Sequence, residues 1–219
     1  MTGVQTCALP ISVIEVGLGG RLDATNVITP EVSIVTNVAM DHAEYLGDTL
    51  EKIAAEKAGI AKPGVPFVTA ENDPAILDVF ARSCAAVGAP LHVLDRGRIR
   101  DVVLDAHETR FTFESRSWGP LKLATPLLGE HQAVNAALVV EAIERMTSDL
   151  RPSLRDIVGG IATVSWPGRN QIEQIDGRTW LFDVAHNAAG AESLCAFLDR
   201  VGLPRPWVAL VGVLGDKDW

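Results

Sequence analysis

The 219-residue chain is 47% hydrophobic and 21% charged, which supports a buried core and excludes disordered and collagen-like classes. Its 19 Lys and Arg against 28 Asp and Glu leave a net charge of −9. That balance argues against a general affinity for nucleic acid or acidic lipid and confines any anion site to a local cluster. No run approaches the roughly 18 consecutive apolar residues of a membrane span. Cys7, Cys84 and Cys195 show no CxxC spacing, so neither a disulfide scaffold nor a cysteine zinc site is expected, and a reducing cytoplasm is.

Met1 to Ser12 lack the basic start and long apolar stretch of a signal peptide. Read back into codons with Met1 from GTG, the segment matches a sequencing-adapter oligonucleotide in frame. Residues 1–12 are therefore expected to be foreign to the fold, with the natural protein beginning upstream. Val13-Ile14-Glu15-Val16 reads as a buried strand delivering Glu15 beside the turn Gly17-Leu18-Gly19-Gly20. A second apolar run, Val32 to Val38, follows Pro30 and leads to Met40-Asp41-His42.

Asp48 with Glu51 resembles a capping box, and Leu50, Ile53, Ala54 and Ala58 keep helical spacing until Gly59, which places Lys57 in the last turn. Phe67-Val68-Thr69 reads as a strand, Asp73 to Val87 as a helix stopped by Gly88, and Leu91 to Leu94 as a strand. Such alternation predicts an α/β fold with a mostly parallel sheet covered by helices on both faces. Between Asp101 and Leu123 short extended runs without helices predict an antiparallel ribbon.

A helix follows from about Glu130 to Met146, with Ala133, Ala136, Ala137, Val140 and Ile143 on its apolar side. A shorter one runs from Ser153 to about Ile161, weakened at its end by Gly159-Gly160. After the break Trp166-Pro167-Gly168-Arg169, strands at Gln171–Ile175 and Thr179–Phe182 flank an Asp176-Gly177 turn. Then come Asp183-Val184-Ala185-His186-Asn187, a helix from Ala189 to Arg200 and a strand at Trp207–Val211. A second domain is expected to begin at Trp166, with its sheet still unfinished at Trp219.

Leu22 stands where a dinucleotide fingerprint needs its third glycine, so that reading fails. Glu15 and His42, each after a strand, could meet at one edge of a parallel sheet and hold a hard cation such as Mg²⁺, which keeps several waters and takes phosphate oxygens. The plainer alternatives are a Glu15–Arg21 pair, a hydrogen-bonded loop histidine, and Lys57 as a solvated cation at a helix end. Asp183 and His186 form a second polar cluster after a strand, or Asp183 is only a helix cap. Arg169 either clamps a phosphate with its planar fork or pairs with a surface carboxylate. GxSxG, HExxH and GxxxxGK[ST] motifs are absent from the 219 residues.

Together, Glu15-Val-Gly-Leu-Gly-Gly-Arg-Leu-Asp-Ala-Thr-Asn26, Thr36-Asn37 through Asp41-His42, Leu46 to Leu50 and Ile53 to Ile60 resemble the folylpolyglutamate and dihydrofolate synthase branch of the Mur ligase family. The resemblance continues through Leu128-Gly129-Glu130-His131-Gln132 with Asn135, then Trp166 to Arg169 and Asp183 to Asn187. It implies an ATP-binding central domain over 13–165 and the start of a Rossmann-like glutamate-ligase domain over 166–219. It also implies a monomeric cytoplasmic ligase, acting with neither nucleic acid nor membrane. In such a ligase the γ-phosphate of ATP passes to a folate or dihydropteroate carboxylate, and the acyl phosphate is attacked by the amine of L-glutamate.

By the same resemblance Glu15 and His42 bind Mg²⁺, and Lys57 is carbamylated into a third metal ligand. Asn135 and Arg169 contact ATP, and Asp183 and His186 close over the phosphates and help receive the glutamate. The family's phosphate loop and pterin-contacting segment lie before Glu15 and are not in this sequence, so the chain by itself is expected not to turn over. Two alternatives stand beside the ligase: a non-catalytic nucleotide-binding module, and a metal-dependent phosphohydrolase using Asp41-His42 and Asp183 with His186.

Overall fold

The computed structural model describes residues 4–6, 12–147 and 149–212. They divide after Leu94 into two compact units, with Arg145–Thr147 grouped with the first.

In the first unit, β1 (Val4–Thr6) pairs antiparallel with β2 (Ser12–Ile14), Val4 opposite Ile14. The rest of the 1–12 segment lies outside the described residues. The strand expected at Val13 is present but not buried: Val13 is 72% exposed. Its apolar run has one partner strand among the described residues and no second layer to bury it.

The parallel sheet has the order β3 (Ser33–Val35), β4 (Phe67–Thr69), β5 (Leu91–Val93), with Ser33 opposite Phe67 and Phe67 opposite Leu91. A short helix α1 (Ala43–Leu46) and then α2 (Leu50–Ala58) connect β3 to β4, and α3 (Pro74–Val87) connects β4 to β5. The cap of α2 is Thr49, whose hydroxyl accepts the Lys52 N–H at 3.3 Å, while Asp48 pairs with the Lys52 ammonium at 2.7 Å. On α3 Asp73 accepts the N–H groups of Ala75 and Ile76 with Pro74 behind it, and Gly88 closes the helix at φ +73°.

Ala54 and Ala58 of α2 share one core with Ile76, Phe80 and Cys84 of α3 and with Val35 and Phe67 of the sheet. The Phe67 and Phe80 rings lie 5.4 Å apart, tilted by 59°. Ile34, pointing to the opposite face, is 41% exposed. Helices on both faces were expected, but the strand order advances in one direction, and right-handed crossovers of that kind put their helices on one side.

The second unit opens with an antiparallel sheet of β6 (Ile99–Leu104), β7 (Thr109–Ser115) and β8 (Gly119–Thr125), the expected ribbon. Phe111 and Phe113 of β7 point inward in strict alternation with polar neighbours. Helix α4 (Glu130–Ile143) stops three residues short of the expected end and buries Ala133, Ala136, Ala137 and Val140. Its Glu141, 1% exposed, meets Arg98 Nη1 at 2.7 Å, and the Arg98 guanidinium sits 4.7 Å from the centre of the Phe113 ring.

Helix α5 (Leu154–Thr163) starts with a reciprocal Ser153–Asp156 capping box and runs through Gly159-Gly160 to Thr163. Strands β9 (Gln171–Ile175) and β10 (Arg178–Phe182) form a hairpin whose turn residues Asp176 and Gly177 both have positive φ, 50° and 73°. Helix α6 (Ala188–Val201) follows, capped by Asn187. The run Trp207–Val211 is not a strand: no neighbour pairs with it among the described residues, and Val208 and Leu210 are 90% and 84% exposed. Among the described residues no helix is long and apolar enough to cross a membrane.

Candidate functional site

The glycine turn of the first unit is folded around Asp23. Its Oδ2 accepts the N–H of Gly17 at 3.0 Å and of Leu18 at 3.1 Å, and its Oδ1 accepts the Thr25 N–H at 2.9 Å and hydroxyl at 2.5 Å. The Thr25 hydroxyl, followed by these backbone donors, lowers the Asp23 pKa to about 2.

The turn packs on the C-terminal end of α2. A Cβ on Gly20 would lie 2.9 Å from the Glu56 carbonyl oxygen, and one on Gly59 would lie 2.3 Å from Arg21 Cβ. The Arg21 N–H donates to Glu56 O at 2.9 Å, the Arg21 guanidinium to Glu56 Oε1 at 2.9 Å, and Asn26 Nδ2 to the carbonyls of Arg21 and Gly59, both at 3.0 Å. Arg21 thus pairs with Glu56 and not with Glu15, so one of the plainer readings of Glu15 drops out.

Lys57 is half-buried on this clamped helix end. Burial holds its pKa below the ordinary lysine value, partly offset by the nearby Asp41 carboxylate. His42, exposed and left-handed at φ 51°, follows Asp41, whose Oδ1 accepts the His42 N–H at 2.9 Å. The loop carrying them is tethered by Glu71, 5% exposed, whose carboxylate accepts the N–H groups of Val38, Asn72 and Asp73. The structure therefore brings Lys57 and the Asp41-His42 pair to one place, while Glu15 stands exposed at the end of β2. No three His, Cys, Asp or Glu side chains form a metal cage among the described residues.

In the second unit the expected residues gather around one that sequence reasoning gave no role, His131. Its half-buried ring feels both Asp183 and Arg169, and burial, followed by these two opposed charges, leaves its pKa below the ordinary value. Asp183 is held by the N–H of Asn170 at 2.8 Å and of Ala185 at 2.7 Å, and Asn170 Nδ2 donates to Leu128 O at 2.9 Å. Asp183 is therefore not the cap of α6, a role that Asn187 fills. His186 is exposed, with Nδ1 2.9 Å from the Val184 carbonyl.

Around His131 runs a chain of side chains: Ser193 Oγ to His131 Nδ1 at 3.1 Å, His131 Nε2 to Gln132 Nε2 at 3.1 Å, and Asn135 Nδ2 to Gln132 Oε1 at 3.1 Å. Asn135, exposed, lines a cavity of about 320 Å³ walled by Ala136, Val139, Ile157, Ile161 and Val164. An apolar slot with two amides, Gln132 and Asn135, suits a flat heteroaromatic ring with a polar edge. Arg169 lines a separate cavity of about 280 Å³ with His107, Trp166 and Glu173. The signal for His131 was its place at the start of α4, two residues after Gly129; Ser193, 62 residues away in sequence, carried none.

The family model described as the Mur ligase middle domain matches residues 2–143. Folylpolyglutamate synthase of Lacticaseibacillus casei is 36% identical over 213 residues, covering 95% of this chain and 49% of that protein. Dihydrofolate synthase/folylpolyglutamate synthase of Bacillus subtilis is 37% identical over 186 residues, with 83% and 43% covered. A solved complex of a folylpolyglutamate synthase with AMPPCP and folate superposes with a TM-score of 0.79 at 35% identity, over 87% of this chain and 47% of that one. The chain spans about half the length of the curated relatives it matches. With the middle-domain model covering well over half of its residues, the chain belongs to the Mur ligase family, and its relatives there are folylpolyglutamate and dihydrofolate synthases.

Proposed function

We propose that this chain supplies the nucleotide- and metal-binding parts of an ATP-dependent ligase that joins L-glutamate to a folate or dihydropteroate carboxylate through an acyl phosphate. The observation that carries the reading is the grouping, within one unit, of the Asn135 amide at an apolar slot with His131, Arg169 and Asp183 around the start of α4. Adenine has two apolar faces and a polar edge, and a guanidinium nearby offers planar donors to phosphate oxygens. The sequence-based boundary at 165/166, between a central and a C-terminal domain, is part of the same proposal.

By donor type, Glu15 and His42 suit magnesium and not a closed zinc centre. One carboxylate and one imidazole on exposed positions leave room for water and for substrate phosphate oxygens, as that ion prefers. Glu15 and His42 would hold it, and when bound it would neutralise charge developing on the transferred phosphoryl group. An ammonium at Lys57 would oppose such an ion. The burial that lowers the Lys57 pKa favours the neutral amine, which reacts with carbon dioxide to give a carbamate and a proton. Asp183, which two backbone N–H groups hold, and the exposed His186 would orient the incoming amine and receive its proton.

The test is ADP formation that depends on both a folate acceptor and L-glutamate, in the intact gene product carrying these residues. Lys57→Ala should abolish it, with partial rescue by short carboxylates, and Lys57→Arg should stay inactive because arginine keeps the charge and forms no carbamate. Full activity in Lys57→Arg returns the residue to a helix-end cation. Nucleotide binding without turnover would favour a binding module, and phosphate release without folate or glutamate a phosphohydrolase.

A further inference from the structure

The carboxylate of Glu71, 5% exposed, serves two segments at once. Its Oε1 accepts the N–H groups of Asn72 at 2.7 Å and Asp73 at 3.0 Å, ahead of α3, and its Oε2 accepts the Val38 N–H at 2.8 Å, beyond β3. A carboxylate accepts on both oxygens, so three N–H groups replace much of the water that burial removes. The side chain stands on a fixed strand end. The Glu71 N–H donates to Oγ1 of the fully buried Thr69 at 3.0 Å, and the Ala70 N–H donates to Thr36 O at 3.2 Å, continuing the pairing of Val35 with Thr69.

Val38 also packs its side chain against the core shared by α2 and α3, so it is held from two sides. Ala39, Met40 and Asp41 then lead to His42, whose backbone is left-handed at φ 51°. A residue with a side chain stays in that region only where its surroundings over-determine it. Downstream the constraint is α1, where the N–H groups of Tyr45 and Leu46 donate to His42 O at 2.9 and 3.0 Å. Upstream it is the Val38 N–H on Glu71. With the upstream end released, His42 relaxes toward an extended or right-handed backbone, and its imidazole swings away from where the fold now sets it.

We propose that Glu71 is a positioning residue: by fixing Val38 it sets the His42 imidazole for a divalent cation and so raises the affinity of the first unit for that ion. The proposal rests on the reading of His42 as a metal ligand. Groups that orient a metal ligand from behind are worth about 10–100-fold in metal affinity, and a tether acting through the backbone belongs at the low end. Two substitutions separate the tether from the start of α3. In Glu71→Gln one oxygen remains; turned to Asn72 and Asp73 it keeps two bonds, turned to Val38 only one, so the amide gives up Val38. Glu71→Asp, one methylene shorter, still serves the N–H groups next to it in sequence and falls short of Val38. Asp73→Ala is the converse, removing the bonds to Ala75 and Ile76 that cap α3 while leaving all three bonds to Glu71.

The probe is Mn²⁺ alone, added to the 219-residue chain while the ring-proton signals of His42 are followed by NMR, since a bound paramagnetic ion broadens only nearby nuclei. The wild-type chain should show saturable broadening at His42. Glu71→Gln and Glu71→Asp should weaken this binding by about tenfold, and Asp73→Ala by less than about twofold although it loosens α3. In the wild type the Val38 amide should also exchange at least about tenfold more slowly than the exposed Asn37 amide. Equal rates there mean that the bond to Glu71 is not formed, and overturn the proposal without any variant. Unchanged Mn²⁺ affinity in a folded Glu71 variant overturns the positioning role and leaves His42 as a metal ligand. An equal loss in Asp73→Ala overturns it too, since general loosening of the unit then suffices. If Mn²⁺ leaves the wild-type His42 signals sharp, the reading of His42 as a metal ligand fails and the proposal falls with it.

Discussion

Replacing Gly59 by alanine separates two reasons for a glycine at the end of α2. Its backbone, φ −61° and ψ −7°, is ordinary right-handed helix. If glycine only ended the helix there, alanine would stabilise the unit by roughly 0.4–1 kcal/mol through the unfolded state. The packing predicts the opposite sign. The new Cβ would fall 2.3 Å from Arg21 Cβ and 2.6 Å from Arg21 Cα. Carbon atoms settle at about 3.5–4.0 Å, so the glycine turn must retreat by about 1 Å. The 2.9 Å bond from the Arg21 N–H to Glu56 O and the 3.0 Å bond from Asn26 Nδ2 to Gly59 O stretch with it. Overpacking and weakened bonds together outweigh the entropic gain and leave a net loss of about 2 kcal/mol. Exchange of the α2 amides, followed by mass spectrometry under conditions where reclosing is faster than exchange, should quicken by roughly 30-fold. Gly88→Ala is the control: its Cβ meets open space, but at φ +73° it carries a backbone penalty of roughly 1–2 kcal/mol. Unchanged or slower exchange in Gly59→Ala would refute the close-packing argument.

Arg98→Ala should destabilise the second unit by about 3 kcal/mol, because the carboxylate of Glu141, 1% exposed, loses the guanidinium that stands 2.7 Å from it; the double variant Arg98→Met, Glu141→Leu should lose less than the single one in urea melts read by tryptophan fluorescence. Alkylation followed by peptide mapping should label exposed Cys195 quickly and Cys84 only on unfolding, since Cys84 is 1% exposed and burial raises its pKa to about 11; equal rates would contradict this. Because the folded thiol titrates above its ordinary value of 9.0, the stability linked to Cys84 is complete below pH 9 and is lost as pH rises toward 11.

Features written within three or four residues of one another were legible in the sequence. The helix start at Asp73, the stop at Gly88, the helix start at Ser153 and the Asp176-Gly177 turn each act through backbone bonds to residues close in sequence, and each stands where the pattern placed it. Thr49 displaced Asp48 as a cap because both can fill the role and only the extended backbone at Thr49, φ −134°, decides between them. What depends on distant neighbours was not legible. The apolar runs at Val13 and at Trp207–Val211 look alike, yet among the described residues only the first finds a partner strand. The placement of Lys57 on a helix end followed from spacing, whereas its burial depends on the packing around it. The tether from Glu71 to Val38 and the reach of Ser193 to His131 cross 33 and 62 residues, beyond any local pattern.

The turn at Gly17–Gly20 carries its own anion. Successive backbone N–H groups at a glycine-rich bend form a concavity that elsewhere receives phosphate. Here the N–H groups of Gly17 and Leu18 already close on the Asp23 carboxylate, which stays ionised down to about pH 2. The bend is thus a receptor occupied from within the same chain. Phosphate offered to it competes with a tethered carboxylate at high effective concentration and faces that carboxylate's charge. A loop that looks built for nucleotide is in this way committed to holding Arg21 and Asn26 against the helix that carries Lys57.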